Sequence, residues 1–235
     1  MSGLTELVKT INSNANAEHA KAMQWFFKTG KGQYGEGDKF LGLKVPLQRK
    51  IAAQFSDLNY SDLQKLLDSK IHEERLISLL ILVGKYSKAD EKEKKQIFNF
   101  YIKNSKKVNN WDLVDLSAPK IAGAHLLNTD CKILFGFAHS KNLWERRISI
   151  ISTYTFIKKN KFDITFEISD ILLNDEQDLI HKAVGWMLRE IGKINVKTLE
   201  FFLKNRYKLM PRTMLRYAIE KFPETKRQKY LKGKI

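Results

Sequence analysis

At 235 residues, with 43% hydrophobic and 29% charged side chains, the chain is long enough to bury a substantial core as one domain or one repeat array, in an ordinary soluble balance. Its 42 Lys and Arg against 26 Asp and Glu give a formal net charge of +16, which favours a polyanionic partner, nucleic acid ahead of an anionic membrane, although a lysine-rich background would give the same excess. The lone Cys131 excludes an internal disulfide and fits a reducing compartment; residues 1–20 lack a signal peptide's apolar core and no apolar run can span a bilayer, so a soluble, cytoplasmic protein is expected.

In chain order, nearly everything reads as helix. Leu4–Ile11 suits a short helix, and Ala15–Lys28 a second, with Ala22, Trp25, Phe26 and Thr29 near helical spacing. Thr29–Gly42 is the one glycine-rich segment. Its Gly30, Gly32 and Gly35 match the dinucleotide fingerprint literally, but an amphipathic helix precedes them where that fingerprint needs a strand. A structured loop tying the first helices to the rest is expected instead. Val45-Pro46 opens another helix, with proline in the tolerated first turn.

From there the chain repeats itself. Glu73-Glu74-Arg75-Leu76-Ile77-Ser78 resembles Trp144-Glu145-Arg146-Arg147-Ile148-Ser149, and the same frame meets Trp111 and Ile180–Trp186. Arg75, Asp112, Arg147 and Lys182 are separated by 37, 35 and 35 residues, and Met210–Phe222 is a shorter final copy. Second helical patterns lie between the copies at 61–69, 92–104, 130–138, 166–173 and 196–205. Paired helices at this period predict an all-α, HEAT-like helical-repeat solenoid, read as a single domain over 1–235.

The centre of the chain is Asn110-Trp111-Asp112-Leu113-Val114-Asp115. On a helix, Trp111 and Asp115 share one face, and an indole face beside a carboxylate suits a cationic ligand. A core tryptophan beside a satisfied aspartate fits the same spacing. Trp144 with Arg147 and Trp186 with Arg189 repeat the pattern, and in a stacked array these equivalent helices would turn toward one concave wall.

These residues carry a resemblance. Asn110–Asp115, Trp144–Arg147, Lys182–Glu190 and the run from Phe27-Lys28-Thr29-Gly30 to Phe40-Leu41-Gly42 closely resemble the AlkD-type DNA alkylation repair glycosylases over nearly the whole chain. The resemblance implies a basic groove holding double-stranded DNA with alkylated bases. It implies hydrolytic excision of cationic N3- and N7-alkylated purines without flipping the nucleotide into a pocket. It also implies a monomer needing no metal, cofactor or membrane. By matching position, Trp111 and Trp186 are the cleft tryptophans, Asp115 the essential carboxylate, and Arg147 the cleft arginine, with Arg146 one residue away. Phe26 is the best match for the N-terminal cleft aromatic, with Trp25 adjacent; a phenylalanine there lacks the family's phenol hydroxyl.

The residue chemistry agrees. An alkylated cationic purine is a good leaving group, so a carboxylate that stabilises positive charge on the sugar and activates water is the main requirement. A close Arg147 would keep Asp115 ionised or hold a phosphate. Lys182 and Arg189 read as further groove cations, with Lys182 a phosphate contact in preference to a Schiff-base nucleophile. The five histidines make no zinc pattern, and neither a nucleophile elbow nor a P-loop occurs. A non-catalytic DNA-binding module and a protein-interaction scaffold are the other readings of such an array.

Overall fold

The computed structural model describes residues 3–235, in two compact units, one ending at Ser117 and one running Ala118–Ile235. Among the described residues every regular element is helical, and the isolated bridge between Lys39 and Ile71 is the sole β-type pairing. No described helix is long and apolar enough to cross a membrane.

The first unit holds α1 (Gly3–Ser13), α2 (Ala17–Phe26), α3 (Val45–Gln54), α4 (Tyr60–Leu67), α5 (His72–Lys88), α6 (Glu91–Lys103) and α7 (Trp111–Ser117). Its starts follow from short polar side chains that accept otherwise orphaned amides: Asn16 takes His19 N–H, Asn59 takes Asp62 N–H, and Asp90 takes Glu93 N–H. Helix α5 is the axis of this unit. It is buried on nearly all sides, from His72 to Leu82, and packs against α3, α4, α6 and α7.

The glycine-rich segment is the expected structured loop, and helix α2 rather than a strand precedes it. Lys39 N–H donates to Lys70 O at 3.0 Å, and His72 N–H to Lys39 O at 2.8 Å. The fully buried Glu73 carboxylate then accepts Leu41, Gly42 and Leu43 N–H at 3.0, 2.8 and 3.2 Å. Gly42 has φ +88°, and a Cβ there would lie 2.2 Å from Asn16 O. Only glycine meets both demands.

The second unit holds α8 (Ala124–Leu126), α9 (Lys132–Ala138), α10 (Leu143–Ser152), α11 (Tyr154–Ile157), α12 (Asp163–Ile171), α13 (Asp178–Ile194), α14 (Val196–Leu203), α15 (Arg212–Ala218) and α16 (Glu224–Leu231). A π-helical turn at Pro119–Gly123 precedes α8, closed by Gly123 N–H to Ala118 O at 2.8 Å. Helix α13 buries Ile180, Ala183, Val184, Met187, Leu188 and Ile191, a stripe at the spacing of one helical face. It packs against α10, α14 and α15. Gly185 sits at the α15 crossing, where a Cβ would lie 2.5 Å from both Met214 O and Tyr217 Cβ.

The copies found in the sequence are therefore equivalent helices, opening at His72, Trp111, Leu143, Asp178 and Arg212. The all-α, helical-repeat class holds, with boundaries within a few residues of those expected.

Candidate active site

Helix α7 presents Trp111 and Asp115 to an open cleft of about 790 Å³, whose wall also includes Ala22, Trp25, Phe26 and Asp112. The shared face expected from their spacing is thus present within the first unit. The lining is overwhelmingly apolar, so a charge entering the cleft meets few competing polar groups.

The aromatic wall is layered. Phe27, buried, stacks on Trp111 with ring centroids 5.2 Å apart, and on Phe40 at 4.9 Å. Phe26 meets Trp111 edge to face at 6.0 Å and remains 58% exposed. Trp25 also lines the cleft, but the rings set against Trp111 are those of Phe26 and Phe27. In the sequence Phe27 stands out only as the start of the Phe27–Gly30 motif, because its neighbours Trp25 and Phe26 carry the same aromatic signal.

A buried ionic chain positions α7. His72 Nε2 lies 2.8 Å from Asp112 Oδ2, and its Nδ1 lies 3.4 Å from Asp38 Oδ2. Arg75 Nη2 approaches Asp38 Oδ1 at 2.7 Å, an ionic contact without hydrogen-bond alignment. Asn110, fully buried, donates to Asp38 Oδ2 at 3.2 Å and accepts Trp111 N–H at 2.8 Å. The glycine-rich loop, the start of α5 and the first turn of α7 thus converge on one imidazole. Burial alone would lower the His72 pKa, but Asp112 and Asp38 outweigh it and hold it above the ordinary value. Burial would likewise raise Asp38, but the His72 hydrogen bond and Arg75 hold its carboxyl below the ordinary value. Asp112, which spacing alone makes a bystander one position off the Trp111–Asp115 face, is a structural partner of His72.

At the other end of α7, Ser117 Oγ lies 3.0 Å from the Tyr101 hydroxyl. Burial pushes that phenol well above its ordinary pKa, and the Asp115 charge pushes the same way. Tyr101 is therefore a neutral group within electrostatic reach of Asp115.

The remaining expected residues lie in the second unit. Trp186 is half-buried on α13, donates Nε1–H to Glu190 Oε1 at 3.1 Å, and faces Tyr154 at 6.1 Å. Arg189 pairs with Glu220, and Lys182 with Asp178 at 2.7 Å. Arg147 is 5% exposed and donates to Leu179 O at 2.5 Å. Arg146 holds Asp175 at 2.5 Å and the Ser140 carbonyl at 2.9 Å. The Trp–charge pattern departs at its middle copy: Trp144 is 7% exposed and belongs to the core. Its apolar neighbours along α10, Ile148 and Ile151, show the same burial. No group of three or more His, Cys, Asp or Glu able to hold a metal occurs among the described residues.

Comparison with known proteins adds to this geometry. A family model described as "DNA alkylation repair enzyme" matches residues 7–222. No curated protein matches the chain. Among solved structures, one described as "Predicted DNA alkylation repair enzyme from Enterococcus faecalis" superposes with a TM-score of 0.69 at 18% identity, covering 89% of this chain and 97% of that one. At that identity the likeness establishes a shared fold.

Proposed function

The chain belongs to the DNA alkylation repair enzyme family, and we propose that within it the chain is a monofunctional glycosylase that hydrolyses the glycosidic bond of N3- and N7-alkylated purines in duplex DNA. The observation that carries this reading is the apolar cleft in which the Trp111 ring and the Asp115 carboxylate stand together.

An alkyl group on N3 or N7 makes the purine cationic before any catalysis. When the C1′–N9 bond breaks, its electron pair neutralises the departing base, and positive charge passes to the sugar as an oxocarbenium ion. Asp115 stabilises that developing charge, more strongly in an apolar cleft than in bulk water. Water then attacks C1′ and loses its proton to Asp115 or solvent, leaving an abasic site. The Trp111 face favours a cationic lesion over a neutral base without reading base edges, and Trp186 on α13 offers a second indole of the same chemistry. Because the cleft is open, this reading has the lesion attacked without its nucleotide being flipped into an enclosed pocket.

The net charge of +16 supports duplex binding through phosphates. In this reading Lys182, the most open of the expected cations with its side chain 41% exposed, takes a phosphate in exchange for Asp178. Arg146, Arg147 and Arg189 do so by exchanging the protein acceptors they now hold for phosphate oxygens.

The test is incubation of the purified protein with a duplex carrying N7-methylguanine, scored for released base and for strand cleavage at abasic sites. Released N7-methylguanine supports the reading. Duplex binding with no release of any cationic purine would replace it with a non-catalytic DNA-binding role.

A further inference from the structure

The outer side of α2 borders a second cavity beside the Trp111 cleft, and Trp25 and Phe26 line both. No residue of this helix is buried, and Trp25 is 83% exposed. Trp25 stands on a ridge. On one side is the Trp111 cleft; on the other is a second cavity of about 770 Å³, where Lys21, Lys28, Gln24, Thr29 and Gln33 join it. Two lysines and several neutral polar residues line this cavity, and no Asp or Glu is among its lining residues.

The cavity's far wall is fixed by the glycine-rich loop. Lys28 adopts φ 52°, left-handed backbone that a lysine rarely takes, and its carbonyl accepts Gly35 N–H at 3.2 Å. Gly30 N–H closes onto Gln33 Oε1 at 3.0 Å. The Lys28 side chain therefore leaves a strained, locally bonded turn, so the surrounding loop sets the direction from which it approaches the cavity.

We propose that Trp25, Lys21 and Lys28 form a site for one unpaired nucleotide of the DNA substrate, its base stacked on the exposed indole and its phosphate held by the two lysines. The inference rests on the DNA-acting reading above and specifies a subsite beside its cleft. Each part has the chemistry the ligand needs. A wide exposed aromatic face accepts any base, since every base has a π-face. Lysines bind phosphate as point charges without demanding one geometry. A protein partner docking on the ridge through apolar contacts alone would leave the two lysines unused, whereas a nucleotide uses both the aromatic face and the cations. A paired base is stacked within its own helix and cannot lie flat on Trp25, so the surface selects the unpaired nucleotide.

The experiment compares binding of two undamaged duplexes that differ by a single unpaired thymidine. Stacking of one base on one aromatic ring implies that wild type prefers the bulged duplex by roughly five- to a hundredfold. Trp25→Ala should abolish the preference and Trp25→Phe should keep most of it; at 83% exposure neither change disturbs packing. The double change Lys21→Gln, Lys28→Gln should weaken binding of the bulged duplex and flatten its salt dependence relative to the paired one. Equal affinity of wild type for the two duplexes overturns the proposal, as does a preference that survives Trp25→Ala. Excision of N7-methylguanine, measured on the same wild-type preparation, separates the two readings. Excision without a bulge preference removes this subsite alone, whereas a bulge preference without excision removes the glycosylase reading and leaves the subsite.

Discussion

His72 and Asp112 are 2.8 Å apart in the interior of the first unit, and the opposite nitrogen of the same imidazole faces Asp38. One ring thereby joins the glycine-rich loop to the helix that carries Trp111 and Asp115. Removing the ring leaves Asp112 without its imidazole partner and Asp38 with Arg75 as its remaining counter-charge.

His72→Gln is expected to destabilise the protein by roughly 3–5 kcal/mol near pH 6, the scale of a buried ion pair that loses one partner. The pH dependence carries the diagnosis. The folded pKa of His72 is raised above 6.5, so its contribution is complete below 6.5 and is lost as pH rises through the folded value. Asp38 is held below 3.8, so its contribution is complete above 3.8 and is lost as pH falls through the folded value. Urea unfolding of wild type and His72→Gln across pH 5 to 9 should show the gap narrowing on the alkaline side. A gap constant with pH would mean that His72 packs as a neutral ring.

This chain of contacts is not legible in the sequence. The helices, their period and the Trp111–Asp115 face follow from local spacing, and local spacing is what a sequence displays. Asp38, His72 and Asp112 lie far apart in the chain, each an ordinary polar residue in its own segment, and only folding makes them partners. Arg146 and Arg147 show the converse. Their positions in a repeat suggest groove cations, and the acceptors that hold them in the unbound protein, Asp175 and the Leu179 carbonyl, are remote in sequence. Trp144 has a charge three residues on, as Trp186 has, yet it lies in the core; spacing alone does not say which way a ring turns.

Glu73→Gln should loosen the glycine-rich loop. The buried carboxylate accepts three consecutive amides, and replacing charge-assisted bonds by neutral ones should cost about 2 kcal/mol. Hydrogen exchange locates the effect: the Leu41, Gly42 and Leu43 amides should lose protection before the amides of α5. Uniform loss across the unit would show that the loop is not separately anchored.

Binding to undamaged duplex should be electrostatic. If several lysines and arginines neutralise phosphates, log affinity against log salt should fall with a slope of roughly −0.9 per phosphate contacted. A flat profile, or binding confined to one sequence, would favour a protein-interaction scaffold.

Trp111→Ala and Trp186→Ala should act on lesion choice. Each removes a π-face proposed to favour a cation, so excision of N7-methylguanine relative to a neutral damaged base should fall by roughly 2- to 30-fold. Equal losses on cationic and neutral substrates would indicate that the rings only shape the cleft.

The decisive variant is Asp115→Asn. The change nearly preserves shape while removing the charge proposed to meet the oxocarbenium ion and activate water. Since that charge acts in the transition state, single-turnover excision should fall by on the order of a hundredfold or more. Duplex affinity should hold or rise slightly, because a negative charge has left a cationic protein. Asp112→Asn cannot serve as the neutral control, since it disturbs the His72 pair and should lower stability as well as rate. Glu91→Gln, at a carboxylate 88% exposed on α6, is the appropriate control and should leave both unchanged. Tyr101→Phe refines the test: it removes the hydroxyl bonded to Ser117 within reach of the Asp115 charge, so a smaller loss of rate with unchanged duplex affinity is expected. If Asp115→Asn excises N7-methylguanine at the wild-type rate, the chemistry belongs to another group, and the Trp111 cleft is a binding surface only.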